Sequence, residues 1–124
     1  AFEKNEVSEN ELLKNVIEIT GNADFEKSDI TELLYIENIG GNVTLWKSQI
    51  QSLGNLQTVG GNLELYGSKL EDTGLLTSIV GDLSFRNSNI TDISSIKEIG
   101  GNVFLENSKL KPQDFAQIKV KNFM

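Results

Sequence analysis

The chain has 124 residues, a formal charge of −7, 38 % apolar and 23 % charged side chains, and neither cysteine nor histidine. That composition suits one compact domain or one short repeat array, and it excludes disulfides, thiolate chemistry and histidine catalysis. An acidic balance without a basic run argues against nucleic acid and anionic membranes as partners.

No apolar stretch approaches the ~18 residues that cross a bilayer, so membrane insertion is not expected. The chain opens on Ala1-Phe2 and not on Met, as expected of a processed or trimmed segment.

The first predicted element is a helix. Ser8-Glu9-Asn10-Glu11 matches the S-x-x-E capping box just ahead of Leu12, Leu13 and Val16. This predicts a short helix over 8–15, laid across the coil that follows as an N-terminal cap (1–15).

From Ile19 onward one phrase recurs every 20 residues. ITGNADFEKSDI starts at Ile19, IGGNVTLWKSQI at Ile39, VGGNLELYGSKL at Val59, IVGDLSFRNSNI at Ile79 and IGGNVFLENSKL at Ile99. One apolar column holds Ala23, Val43, Leu63, Leu83 and Val103; two residues on come Phe25, Leu45, Leu65, Phe85 and Leu105. That alternation predicts a short strand with one buried face. Apolar residues then recur at every third position (Leu33, Ile36, Ile39; Leu53, Leu56, Val59), a spacing that fits extended or 3₁₀-like turns and not an α-helix. A unit this short has no core of its own, so each coil must stack on its neighbours. With strands paired in parallel about 4.8 Å apart, five coils extend about 24 Å. The predicted fold is a β-rich, right-handed parallel β-helix or leucine-rich-repeat-like solenoid over 16–111, forming a single domain with its caps.

Polar columns share the period. Ser28, Ser48, Ser68, Ser88 and Ser108 occupy one phase, where a short hydroxyl bonds backbone groups left unpaired at a corner. Gly21, Gly41, Gly61, Gly81 and Gly101 form another, predicting positive φ or close backbone approach, and Asn22, Asn42, Asn62, Asp82 and Asn102 follow them. No GK[ST] follows the double glycines and no helix opens there, so they are not a phosphate loop. The nine-residue GGxGxD repeat of calcium β-rolls is absent too, and no metal or cofactor is expected. The sequons at Asn42 and Asn89 are read as coincidences of an Asn-rich repeat.

The last element is a C-terminal cap over 112–124. Pro112 sits where a first helical turn tolerates it, Phe115 and Ile118 are placed to cover the final coil, and IKVKNF supplies a closing strand. Its lysines discourage edge-to-edge aggregation. Two caps predict a complete folding unit.

LELYGSKL, LSFRNSNI and VFLENSKL resemble the LxLxxNxL core of leucine-rich repeats, with Ser in place of the signature Asn. The I-G-G-N-[VL]-x-L phrase resembles short bacterial leucine-rich repeats and the L domains of growth-factor receptors. The resemblance spans about residues 16 to 111. It implies binding without naming a ligand. The absence of the cysteines that accompany animal receptor L domains points toward a bacterial protein.

Residues between the buried ones face outward and differ from coil to coil. Asp24, Thr44, Glu64, Ser84 and Phe104 form one outward column, Glu26, Trp46, Tyr66, Arg86 and Glu106 the next, and Lys27, Lys47, Gly67, Asn87 and Asn107 a third. Trp46, Tyr66 and Arg86 are predicted to lie side by side, and these residue types are enriched at binding hot spots. Glu64, Lys47 and Phe104 form the expected rim. The expectation is a noncatalytic module of a secreted or cell-surface protein, binding a protein or carbohydrate ligand through this face. A cross-strand ladder that only stiffens the sheet is the competing reading of the same residues, and makes the array a spacer or scaffold. A carbohydrate-active enzyme would need two acids about 5–10 Å apart across a cleft, which the sequence does not announce. Oligomeric state is left open.

Overall fold

The computed structural model describes residues 2–3 and 16–124. The helix and capping box expected over 8–15 lie outside the described residues. The chain is a parallel β-solenoid of about five coils, with very short strands: β1 (Phe2–Glu3), β2 (Glu18–Ile19), β3 (Ala23–Asp24), β4 (Asn38–Ile39), β5 (Val43–Thr44), β6 (Thr58–Val59), β7 (Leu63–Glu64), β8 (Ser78–Ile79), β9 (Leu83–Ser84), β10 (Glu98–Ile99), β11 (Asn102–Phe104) and β12 (Asn122–Phe123). Among the described residues they form two parallel sheets, a seven-stranded one in the order β1-β3-β5-β7-β9-β11-β12 and a five-stranded one in the order β10-β8-β6-β4-β2. From β3 to β12 every partner in the larger sheet is the residue one repeat away, as in Val43 with Leu63 and Glu64 with Ser84. The second sheet obeys the same register, Ile39 facing Val59 and Val59 facing Ile79. Isolated parallel bridges between Glu32 and Ser52 and between Asp72 and Asp92 mark a third side.

The apolar columns fill the interior. Phe25, Leu45, Leu65 and Phe85 are fully buried, as are Val43, Leu63, Leu83 and Val103 in the neighbouring column. Leu105, at the C-terminal end, is only partly covered. Full burial of such a side chain contributes about 1.5–3 kcal/mol. The three-residue spacing is a tight turn: the Ile36 N–H donates to Leu33 O (3.2 Å) and the Leu56 N–H to Leu53 O (3.0 Å). The turn directs two side chains inward three residues apart.

The glycine column is required by close approach and not by positive φ. A Cβ on Gly61 would collide with Asn42 Oδ1 and the Gly41 backbone. That oxygen accepts the Asn62 N–H at 2.8 Å, and the same bond joins Asn22 to Asn42, Asn62 to Asp82 and Asp82 to Asn102. The Asn column therefore ties coil to coil, where the sequence suggested a local turn. Asp82 fits because only an acceptor is used.

Lys27, Lys47, Gly67, Asn87 and Asn107 depart from the expected outward column. They are not a third outward strand position. Each sits in a tight turn in the left-handed region, at φ 55, 54, 65, 53 and 57°. The Ser48 N–H closes its turn by donating to Leu45 O at 3.0 Å, and the other serines do the same one coil apart. Such a turn needs positive φ at its third residue, which Gly and Asn accept readily and Lys accepts at a cost of about 1 kcal/mol or more. The serine hydroxyls behave unequally. Ser28 Oγ accepts the Ile30 N–H (2.9 Å), Ser48 Oγ the Ile50 N–H (3.4 Å) and Ser108 Oγ the Leu110 N–H (3.2 Å). Ser68 and Ser88 Oγ are buried without a partner.

At the C-terminal end the short helical turn expected at Pro112 forms as a single 3₁₀ turn, Pro112–Phe115. The Lys111 N–H donates to Asp114 Oδ2 at 2.8 Å. Phe115 is buried, edge-on to Phe85 (5.9 Å between centroids) and to Phe123 (5.2 Å). The closing strand forms as β12 beside β11, and Ile118 packs partly buried against the core.

Candidate functional site

The register of β5, β7 and β9 places one outward residue of each coil directly above the next. Thr44 faces Glu64, and Glu64 faces Ser84. Two residues further along each coil come Trp46, Tyr66 and Arg86, just before the chain turns at the left-handed position. Thr44, Trp46, Glu64, Tyr66 and Arg86 line one concavity of about 320 Å³. Trp46 and Tyr66 meet edge to face, with centroids 5.4 Å apart and planes at 80°. Trp46 remains 43 % exposed, a large share for an indole already packed against a neighbour.

Arg86 has two neighbours of different character. Its guanidinium carbon lies 4.5 Å from the Phe104 ring centroid, a cation–π contact with the following coil. It also acts electrostatically on Glu64. The Glu64 carboxyl reaches solvent, yet its walls strip enough water to raise its pKa from the ordinary glutamate value. Asp82 pushes the same way; the Arg86 charge and a hydrogen bond with Ser84 oppose it. Ser84 sits beneath, 2 % exposed although its column faces outward, and its Oγ accepts the Arg86 N–H at 3.4 Å.

Four of the expected residues, Trp46, Tyr66, Arg86 and Glu64, therefore share one concavity. Phe104 lies outside its lining and contacts Arg86 from the far side. Lys47 does not line it; as a left-handed turn residue it is exposed, with its Cγ close to Gly67. Sequence reasoning placed Thr44 and Ser84 in an outward column without singling them out. The usable signal was their register with Glu64, combined with a side chain small enough to leave a hollow.

The hollow offers two apolar walls, one carboxylate acceptor and one guanidinium donor. Glu64 is the sole carboxylate among its lining residues. Among the described residues no group of three or more Asp or Glu side chains is close enough to hold a metal ion, and no helix is long and apolar enough to cross a membrane. Comparison with protein-family models, with curated proteins and with solved structures finds no match.

Proposed function

We propose that the chain is a noncatalytic binding module that receives a protein or glycan ligand on the outward face of its larger sheet. The observation that carries this reading is the concavity where Trp46, Tyr66, Glu64 and Arg86 converge from three consecutive coils. Exposed aromatic and arginine side chains around a hollow are the groups that dominate binding energy elsewhere. A lone lining carboxylate supports binding over glycoside hydrolysis, which uses two. Resemblance to leucine-rich repeats supports membership of that superfamily and a parent protein that is secreted or displayed at the cell surface. Fractionation of the source cells tests that placement.

Titration of oligosaccharide and peptide panels against wild type, Trp46→Ala and Tyr66→Ala, read by tryptophan fluorescence where Trp46 remains and by calorimetry throughout, tests the reading. Affinity falls at least about 10-fold in both variants if the face binds; unchanged affinity in both removes the face from consideration. A scaffold role has its own support, because the Trp46–Tyr66 and Arg86–Phe104 contacts also join adjacent coils. Loss of stability without loss of any ligand in those variants favours it.

A further inference from the structure

The concavity selects by charge as well as by shape. Glu64 and Arg86 are its two charged lining groups, and the Thr44 and Tyr66 hydroxyls and the Trp46 indole N–H are the uncharged polar ones. A cation drawn to Glu64 and the aromatic faces meets the Arg86 guanidinium. An anion drawn to Arg86 meets Glu64, with Asp82 close enough to act on that carboxyl and a chain charge of −7 behind it. Opposed charges within one small hollow penalise either sign of ligand charge and leave hydrogen bonding and apolar contact as the net attraction.

Resting on the binding reading above, we infer that the ligand is a neutral, polyhydroxylated molecule: a glycan of uncharged pyranose units crossing the sheet. A pyranose matches each wall. Its C–H face packs on an aromatic ring of Trp46 or Tyr66, its hydroxyls donate to the Glu64 carboxylate, and its hydroxyl oxygens accept from the Arg86 guanidinium. The Glu64 carboxyl, already short of water, gains more from a donated hydroxyl than a fully hydrated one does. Ser84 beneath and Phe104 beside hold the two charged groups in place before any ligand arrives. A volume of about 320 Å³ lies at the small end of the ~300–1,000 Å³ typical of small-molecule sites. It suits a short stretch of a chain whose remainder continues over the open sheet.

The test is a titration of maltotriose, cellotriose, mannotriose and galactotriose, with trilysine, triglutamate and triserine as counter-probes. Each is followed by Trp46 fluorescence and calorimetry up to about 10 mM. At least one triose binds wild type more tightly than any of the three peptides, and Glu64→Gln and Arg86→Gln each weaken it about 10-fold or more. Both substitutions lie at exposed positions and leave the stack intact. They also move selectivity in opposite directions: Glu64→Gln gains triglutamate and Arg86→Gln gains trilysine.

Tighter binding of any peptide than of every triose overturns the glycan assignment, while a Trp46 signal in that experiment keeps the face as a binding site. Absence of binding by all four trioses overturns the assignment as well. Triose binding that survives both Gln variants unchanged overturns the role given to the charged pair.

Discussion

The side-chain carbonyl of Asn42 accepts the backbone N–H of Asn62 at 2.8 Å, one full coil away. This bond repeats up the stack and ends at Asn102, whose Oδ1 is buried without a partner. Asn42→Ala leaves the Asn62 N–H to exposed solvent, so the expected loss is about 1 kcal/mol. Asn42→Asp retains the acceptor, as Asp82 does naturally, and is expected to cost less. Urea unfolding of the two variants checks the order.

The same corner dictates a sharp contrast between two glycines. Gly61→Ala drives a Cβ into Asn42 Oδ1 and the Gly41 backbone, neither of which yields without breaking the stack. A loss of about 1–3 kcal/mol or more is expected. Gly67→Asn places at φ 65° the residue that Asn87 and Asn107 already supply in that column, and its nearest obstacle is the flexible Lys47 side chain at 3.2 Å. Its stability is expected to stay within about 0.5 kcal/mol of wild type. Denaturant midpoints of both proteins decide it.

Serines in one column are expected to respond differently to one substitution. Ser28→Ala removes the acceptor for the buried Ile30 N–H and costs about 1–3 kcal/mol. Ser88→Ala removes a buried hydroxyl that has no partner, and is expected to be neutral or stabilising. Thermal unfolding of the pair is the check; an equal loss in both refutes the distinction.

Glu64 gives a pH signature. Burial raises its folded pKa above the unfolded value of ~4.3. Folding thus favours the neutral carboxyl. The resulting stabilisation is complete below the unfolded pKa and disappears as pH rises through the folded one. Relative to Glu64→Gln, wild type is expected to gain stability between about pH 7 and pH 4, by less than about 1 kcal/mol because the group still reaches solvent. Urea unfolding of both proteins across that range measures it; a difference moving the other way contradicts the assigned cause.

The stack was legible because its period is exact in the sequence: Val43, Leu45, Ile50, Leu53, Leu56 and Val59 are all buried as their columns require. The second sheet was not, since its strands are two residues long and carry one inward residue each, too few to show alternation. Lys27 and Lys47 concealed the left-handed turn, which only Gly67, Asn87 and Asn107 hinted at. The role of the Asn column escaped because a donor one coil away has no local signature. The neighbourhood of Trp46, Tyr66 and Arg86 followed directly from the 20-residue register. The hollow did not, because the contacts that place its charged groups, Arg86 over the Phe104 ring and Glu64 with Ser84, have no signature in the repeat.

Amide-shift mapping during titration with the four trioses tests the central claim most directly, namely that consecutive coils jointly build one recognition face. Perturbed amides are expected in three separate segments one repeat apart, around Thr44 to Trp46, Glu64 to Tyr66 and Ser84 to Arg86, with the second sheet silent. Shifts confined to one continuous segment, shifts centred on Ile39, Val59 and Ile79, or no shifts with any triose would contradict it.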